Sequence, residues 1–187
     1  MFSAVRIKVV PFVLLLALVF AFLLNWPVLL HFYDILSNIE HFKIGFVVSI
    51  PFLLVAALNF VFMPFSIRFL MKPFFAFLFV TGSIASYTMM KYRVLFDGDM
   101  IQNIFETNQS EAFAYVNAPI IIWVILTGLL PAALIFFVKI EYASTWYKGI
   151  AQRLLSMFFS LVIVGIIAAL YYHMYRTLSG KRINNTV

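Results

Sequence analysis

Three polar side chains recur every fourth residue in the most polar internal segment of the chain, residues 97–111. They are Asn103, Thr107 and Glu111, which drift by about 40° per step on a helix and therefore form one polar stripe. An amide, a hydroxyl and a carboxylate can together bond a phosphate group and an ammonium group. The polar stripe thus fits a zwitterionic headgroup, although a solvated face of a helix at a membrane surface would have the same spacing.

The residues around the polar stripe predict the helix that carries it. Asp99 follows Gly98 and precedes Gln102 by three positions, which is the spacing of a capping box at a helix start. Ile101, Ile104, Phe105 and Ala112 fall on another side of the same helix. We therefore expect a short helix from Asp99, with one apolar side and one polar stripe.

Five long apolar runs make up most of the rest of the chain, and each is about 17 to 21 residues long, enough to cross a hydrocarbon core of about 30 Å. They cover residues 9–26, 44–63, 74–90, 118–138 and 154–172. Backbone amides find no water in a bilayer, so each run is predicted to be a transmembrane helix. The expected fold is an all-α integral membrane domain with five transmembrane helices and short interfacial helices on the periplasmic side.

Composition excludes several other classes of protein. The 187 residues are 65% hydrophobic, which is more apolar surface than a soluble domain of this size can bury. The net charge of +6 comes from Lys and Arg residues scattered among loops, which favours lipid headgroups over nucleic acid as their partner. There is no cysteine, and the three histidines are far apart, so the chain is expected to bind no metal or other cofactor.

The charges of alternate connections predict the orientation. Basic residues dominate one set of segments and acidic residues the other, so by the positive-inside rule the N-terminus is cytoplasmic and the C-terminus periplasmic. The inner residues would be Arg6, Lys8, Arg68, Lys72, Lys139, Lys148 and Arg153, with Glu141 as the one acid. The outer acids would be Asp34, Glu40, Asp97, Asp99, Glu106 and Glu111.

The two outer connections, residues 27–43 and 91–117, differ in character. The first has apolar residues at helical spacing and predicts a helix lying at the membrane surface, whereas the second is longer and more polar. Within the apolar runs, Asn59 and Ser83 are expected to form hydrogen bonds between helices, and Gly82, Ser83 and Ser86 to let two helices approach closely.

Motifs of hydrolytic or transfer chemistry are missing from the sequence, which has no P-loop, no zinc-binding His-Glu helix and no nucleophile elbow. The middle of each apolar run also lacks Asp, Glu, Lys and Arg. Ion-coupled transporters keep such groups at membrane depth, so this pattern disfavours a transporter.

The segment around the polar stripe resembles the membrane domain of the phosphoethanolamine lipid A transferases, especially their mobile colistin-resistance branch. The resemblance covers nearly the whole chain and includes the turn at residues 68–73, Tyr171 and Tyr172. The matching stretches are Tyr92-Arg93-Val94-Leu95-Phe96-Asp97, Met100-Ile101-Gln102-Asn103, residues 107–111, and Leu126-Thr127-Gly128 with Pro131.

This resemblance implies an inner-membrane domain of five helices, followed in the family by a periplasmic catalytic domain that holds zinc and a threonine nucleophile. In the family, phosphatidylethanolamine donates its headgroup to that threonine and then to lipid A, which weakens cationic polymyxins. The family's donor-lipid residues are an Asn, a Thr and a Glu spaced by four, and they match Asn103, Thr107 and Glu111.

The tail departs from the family pattern. An acidic residue before a Tyr is usual after Tyr172, but this chain has His173-Met174-Tyr175, and Asn184-Asn185 come several positions late. We therefore expect a five-helix domain over residues 1–173, an atypical tail over 174–187, and no transferase activity from this chain alone, because the soluble catalytic domain is absent. The alternatives are a purely structural membrane anchor and a small five-helix transporter or channel.

Overall fold

The structure, a computed structural model, describes residues 6–37, 44–92 and 117–184, with side chains as far as Tyr172. Two short strands and six helices follow one another in these ranges. They are β1 (Arg6–Lys8), α1 (Val9–Val19, continued as a π-helix over Phe20–Leu24), α2 (Trp26–Ser37), α3 (Ile44–Phe62), α4 (Met71–Tyr92), α5 (Ala118–Phe137), β2 (Lys139–Glu141) and α6 (Trp146–Asn184).

The predicted all-α membrane fold is confirmed. Four helices are long and apolar enough to cross a membrane, over Val47–Phe65, Met71–Tyr92, Ala118–Phe137 and Trp146–Tyr172. The first predicted run is shorter than expected, because its helix ends at Leu24 and the chain then bends by 61° into α2. If this bent pair is one span, the described residues contain five spans.

Asn25 marks the bend between α1 and α2. Its backbone N–H and its side-chain Nδ2 both donate to the carbonyl of Phe20, at 2.9 and 3.0 Å, which closes the last wide turn of α1. Its own carbonyl accepts from Leu29 at 3.1 Å and so begins α2, where Pro27 has no N–H to satisfy. The first outer connection is helical over Trp26–Ser37, as predicted, and the bend turns this helix away from the axis of α1. Its position at the membrane surface stays a prediction.

The helices pack in the order α5, α4, α1, α3, α6, with α1 in the middle of the row. Phenylalanine rings fill the centre: Phe20 lies 5.1 Å from Phe62 and 4.6 Å from Phe79, and Phe62 lies 5.0 Å from Phe75 (ring centroids). All four side chains are nearly or fully buried. Tilted and edge-to-face ring pairs attract each other by more than the burial of their area accounts for. This attraction is important in a bilayer, where the hydrophobic effect does not drive helices together.

Helix α5 contains a second π-helical turn, over Ile125–Leu129, directly before Pro131. The proline ring removes one backbone donor and crowds the preceding turn, and a wider turn relieves that crowding. Pro51 lies inside α3, which nevertheless stays continuous from Ile44 to Phe62.

Helix α6 lies at the edge of the row and is the least buried of the spans. Its backbone continues through Asn184, so most of the atypical tail extends the last helix beyond the predicted end at Tyr172. The tail has many polar residues, and its helix is not part of the apolar span that ends at Tyr172.

Candidate functional site

The three residues of the polar stripe, Asn103, Thr107 and Glu111, lie outside the described residues, as does the predicted cap at Asp99. Their contacts therefore stay predictions. What the structure does describe is the pair of helices from which residues 93–116 leave and to which they return.

Helices α4 and α5 run antiparallel and hold both ends of this segment at one end of the bundle. At their other end, Lys72 at the start of α4 donates to the carbonyls of Phe136 and Val138 at the end of α5, at 3.0 and 2.9 Å. Helix α5 begins with a cap, since the Asn117 side chain accepts from the N–H of Ile120 at 3.2 Å. The segment that carries the polar stripe thus starts at Tyr92 and ends at Asn117, opposite Lys72.

The α4–α5 pair is packed closely at Gly128. A Cβ atom on Gly128 would lie 2.5 Å from Ser83 Oγ, 3.1 Å from Ser83 Cβ and 3.3 Å from the carbonyl oxygen of Phe79. Only a residue without a side chain fits this contact, which is typical of small-residue packing in membranes. The predicted close approach at Ser83 is confirmed.

The predicted interhelical hydrogen bond of Ser83 is wrong. Its hydroxyl donates to the carbonyl of Val80 in its own helix at 2.7 Å, because the facing residue, Gly128, brings no side-chain partner. Local bonding of this kind is the usual alternative for a serine in a helix.

Two buried polar atoms of the α4–α5 interface have no hydrogen-bond partner among the described residues. They are Ser86 Oγ and Trp123 Nε1. Both residues lie on the Tyr92 and Asn117 side of the Ser83–Gly128 contact, one to two helical turns along the two helices. Each of the two helices thus has one such atom on the side where residues 93–116 are attached.

The opposite end of the bundle, which we call the basic end, brings together cations from separate parts of the sequence. Strands β1 and β2 pair in parallel with Arg6 opposite Lys139 and Lys8 opposite Glu141. Arg153 Nε donates to Ser66 Oγ at 2.9 Å, and Arg153 Nη2 donates to the carbonyl of Ser66 at 2.8 Å. The cations of the basic end are Arg6, Lys8, Arg68, Lys72, Lys139, Lys148 and Arg153. All the residues predicted to face the cytoplasm therefore lie at one end.

Tyr142 joins the two halves of the basic end. Its hydroxyl donates to Met71 Sδ at 3.5 Å, and the guanidinium carbon of Arg68 lies 6.0 Å from its ring centroid. Burial raises the pKa of the Tyr142 phenol, while the charges of Arg153 and Arg68 act in the opposite direction. The phenol is thus held in its neutral form, as a hydrogen-bond donor.

Polar side chains also connect α3 and α6 along their length. Asn59 Nδ2 donates to Ser160 Oγ at 2.8 Å and to Ser156 Oγ at 3.1 Å, and Ser49 is hydrogen-bonded to Tyr171. The predicted interhelical role of Asn59 is confirmed. Sequence reasoning missed Ser156 and Ser160, although their spacing of four residues places them on one side of α6.

Metal-binding groups do not come together in the described ranges, where no three His, Asp or Glu side chains are clustered.

The chain matches one family model and several characterised proteins. The family model described as phosphoethanolamine transferase EptA/EptB matches residues 54–182. Phosphatidylethanolamine transferase Mcr-1 of Escherichia coli is 33% identical over 162 residues, which cover 85% of this chain and 29% of that protein. Phosphoethanolamine transferase EptA of Escherichia coli K12 is 26% identical over 170 residues, covering 83% of this chain and 31% of that protein.

A solved structure has the same fold. The integral membrane protein lipooligosaccharide phosphoethanolamine transferase A (EptA) from Neisseria meningitidis aligns with 96% of this chain and 33% of its own, with a TM-score of 0.83 and 22% sequence identity. The chain therefore spans about a third of the length of the relatives it matches.

Proposed function

Since the chain belongs to the phosphoethanolamine transferase EptA/EptB family and forms its membrane domain, we propose that this domain binds the donor lipid, phosphatidylethanolamine. The family match spans residues 54–182 and therefore includes the polar stripe. The observation that carries the proposal is the spacing by four of Asn103, Thr107 and Glu111 within that range. The same residue types at the same spacing are the family's donor-lipid residues, as the resemblance implies.

In this proposal the Glu111 carboxylate pairs with the ethanolamine ammonium, while Asn103 and Thr107 bond the phosphate region. The α4–α5 pair supports the assignment, because its close contact at Gly128 and Ser83 holds both attachment points of residues 93–116. A segment fixed at both ends loses less conformational freedom when it binds a ligand.

The full transferase would then use the bound donor. The headgroup would pass to lipid A as acceptor through a periplasmic catalytic domain, and the modified surface would weaken the binding of cationic polymyxins such as colistin. The domain would lie in the bacterial inner membrane among its other lipids, with no nucleic-acid partner. The polar stripe would supply binding and orientation of the headgroup, and zinc and the nucleophile would belong to the catalytic domain.

Donor binding is tested with alanine variants of the stripe. Asn103→Ala, Thr107→Ala and Glu111→Ala each remove a polar contact, and the Glu111 contact, being charge-assisted, is worth about 1.5 to 3 kcal/mol, less where water competes. Native mass spectrometry should therefore give about ten- to a hundredfold weaker phosphatidylethanolamine binding for Glu111→Ala. Glu106→Ala is the matched control, since it removes a carboxylate from the same segment outside the stripe.

Two outcomes would contradict the proposal. Unchanged binding in all three stripe variants, with helicity and expression preserved, would leave a purely structural anchor. Flux of a solute through vesicles that contain the chain would favour a transporter or channel. Colistin susceptibility of the same variants in a full-length transferase gives an independent measure.

Orientation is tested by thiol labelling. Lys72→Cys and Lys148→Cys lie at the basic end, whereas Glu40→Cys and Glu106→Cys lie in the two outer connections. With the N-terminus cytoplasmic, an impermeant thiol reagent added to intact spheroplasts should label only the second pair. Labelling of the first pair alone would invert the proposed topology.

A further inference from the structure

A lipid-sized groove opens between α1, α3 and α6. Its volume is about 610 Å³, and its walls are mainly aliphatic and aromatic, including Leu14 of α1, Phe52 and Val55 of α3, and Phe159 of α6. Leu14, Phe52 and Phe159 are also exposed on the outer surface of the bundle. The groove is therefore open to whatever surrounds the helices.

The depth of the groove equals about one leaflet of a bilayer. Along α6 it runs from Gln152 to Ile163, and along α3 from Asn59 back to Phe52. Eleven residues of helix rise by about 16 Å, close to half of a hydrocarbon core of about 30 Å. A groove of this length accommodates an acyl chain from the leaflet on its own side and does not reach the opposite leaflet.

The mouth of the groove is at the basic end. Lys8 and Gln152 line it there, where the chain enters α1 and α6. Among the described residues no acidic side chain lines the groove, and the basic end carries seven cations and one carboxylate, Glu141, which lies opposite Lys8. The net positive charge of the basic end would therefore attract a negatively charged headgroup to Lys8 at the mouth, with Glu141 offsetting part of the Lys8 charge.

Asn59 gives a second, independent indication of a ligand. It lines the groove and is only 4% exposed, and while its Nδ2 is bonded to Ser156 and Ser160, its Oδ1 has no partner among the described residues. A buried amide oxygen without a partner is costly and needs a donor. Lipid ester oxygens only accept, so a water molecule that donates both to Oδ1 and to an ester oxygen would join Asn59 to a lipid. The groove is thus polar at the depth of a lipid's glycerol region and apolar beyond it.

We propose that the groove between α1, α3 and α6 binds one anionic phospholipid from the leaflet at the basic end. Its phosphate is held by Lys8 and Gln152, and one acyl chain lies between Leu14, Phe52 and Phe159. This site differs in leaflet and in charge preference from the donor-lipid site proposed at the polar stripe. The bound lipid fills the space beside the least buried span, α6, and so supports its packing on α3.

The test compares two lipids that share acyl chains and differ in headgroup charge. The chain in detergent is titrated with dioleoyl phosphatidylglycerol or dioleoyl phosphatidylcholine and analysed by native mass spectrometry. We expect one phosphatidylglycerol to bind about fivefold more tightly than phosphatidylcholine, and Lys8→Gln to abolish that difference. Lys148→Gln is the matched control, because Lys148 belongs to the basic end but does not line the groove.

A second variant tests the apolar part. Val55→Trp fills the groove and should weaken the binding of both lipids by about the same factor. A thermal melt checks that the variant is folded. Neither Lys8→Gln nor Val55→Trp should change phosphatidylethanolamine binding at the polar stripe. Equal wild-type affinity for the two lipids would overturn the proposal, as would equal effects of Lys8→Gln and Lys148→Gln. The proposal would also be overturned if the wild-type chain formed a dimer and Val55→Trp dissociated it. The occupant of the groove would then be a second copy of the chain.

Discussion

The α4–α5 and α3–α6 pairs are both antiparallel, and they are held together by different means. At α4–α5 a glycine, Gly128, lets the backbone approach Ser83 so closely that no side chain fits between them. At α3–α6 the contacts are hydrogen bonds of longer side chains, from Ser49 to Tyr171, from Asn59 to two serines, and from Arg153 to Ser66. The groove lies beside this hydrogen-bonded pair, and Asn59, Ser156 and Ser160 line it.

In our proposals, this difference separates two tasks in one membrane domain. Lipid tails are as apolar as leucine, so helices associate there by close packing or by polar bonds rather than by the hydrophobic effect. The closely packed pair holds the ends of the segment that carries the polar stripe. The hydrogen-bonded pair leaves room for a lipid at the other end of the bundle.

The largest effect is expected when the close contact is filled. Gly128→Ala places a methyl group against Ser83 and the Phe79 carbonyl, and overpacking of this kind costs about 1 to 3 kcal/mol. Thermal unfolding in detergent should give a clearly lower midpoint for this variant. Gly165→Ala in α6 is the matched control, since its added Cβ would have no neighbour within 4 Å.

Combining Gly128→Ala with Ser83→Gly provides a further check. Removing the Ser83 side chain takes away the two nearest clashing atoms, so the double variant should recover much of the lost stability. Equal midpoints for Gly128→Ala and Gly165→Ala would show that the α4–α5 pair is not closely packed.

A smaller effect is expected at the hydrogen-bonded pair. Asn59→Ala removes the bonds to Ser156 and Ser160, and interhelical bonds of this type contribute about 0.6 kcal/mol on average and up to about 1.7 kcal/mol. A double-mutant cycle with Ser160→Ala should show coupling between the two positions. Thr88→Ala is the control, because its hydroxyl bonds only the carbonyl of Ile84 in its own helix. A cycle without coupling would mean that the bond between Asn59 and Ser160 does not help to hold α3 to α6.

The sequence predicted the spans because a bilayer imposes length and apolarity on each helix separately. It also predicted which cations share one end, since the alternation of loops requires this. The order in which the helices pack depends on contacts between distant residues, and apolar runs of similar composition do not encode it. The wide turn before Pro131 and the bend at Asn25 depend on single backbone donors and acceptors, so hydropathy alone could not predict them.

The polar contacts were predicted unevenly for a related reason. Asn59 is an isolated amide in an apolar run and must find a partner, so its interhelical role followed from its burial. A serine can bond its own backbone, and Ser83 does so. The roles of Asn103, Thr107 and Glu111 stay predictions, because a spacing of four residues suits both a ligand site and a solvated helix face.

The most direct test of donor binding changes the donor instead of only the protein. Stepwise N-methylation of phosphatidylethanolamine to phosphatidylcholine keeps the positive charge and removes the N–H groups. These are the groups from which Glu111 is proposed to accept hydrogen bonds. Binding of this lipid series to the wild-type chain should fall by about tenfold, while Glu111→Gln should bind all members weakly and almost equally. Glu106→Gln should behave like the wild type. An identical fall in the wild type and in Glu111→Gln would mean that Glu111 does not contact the ammonium, and the account of the polar stripe as the donor site would be wrong.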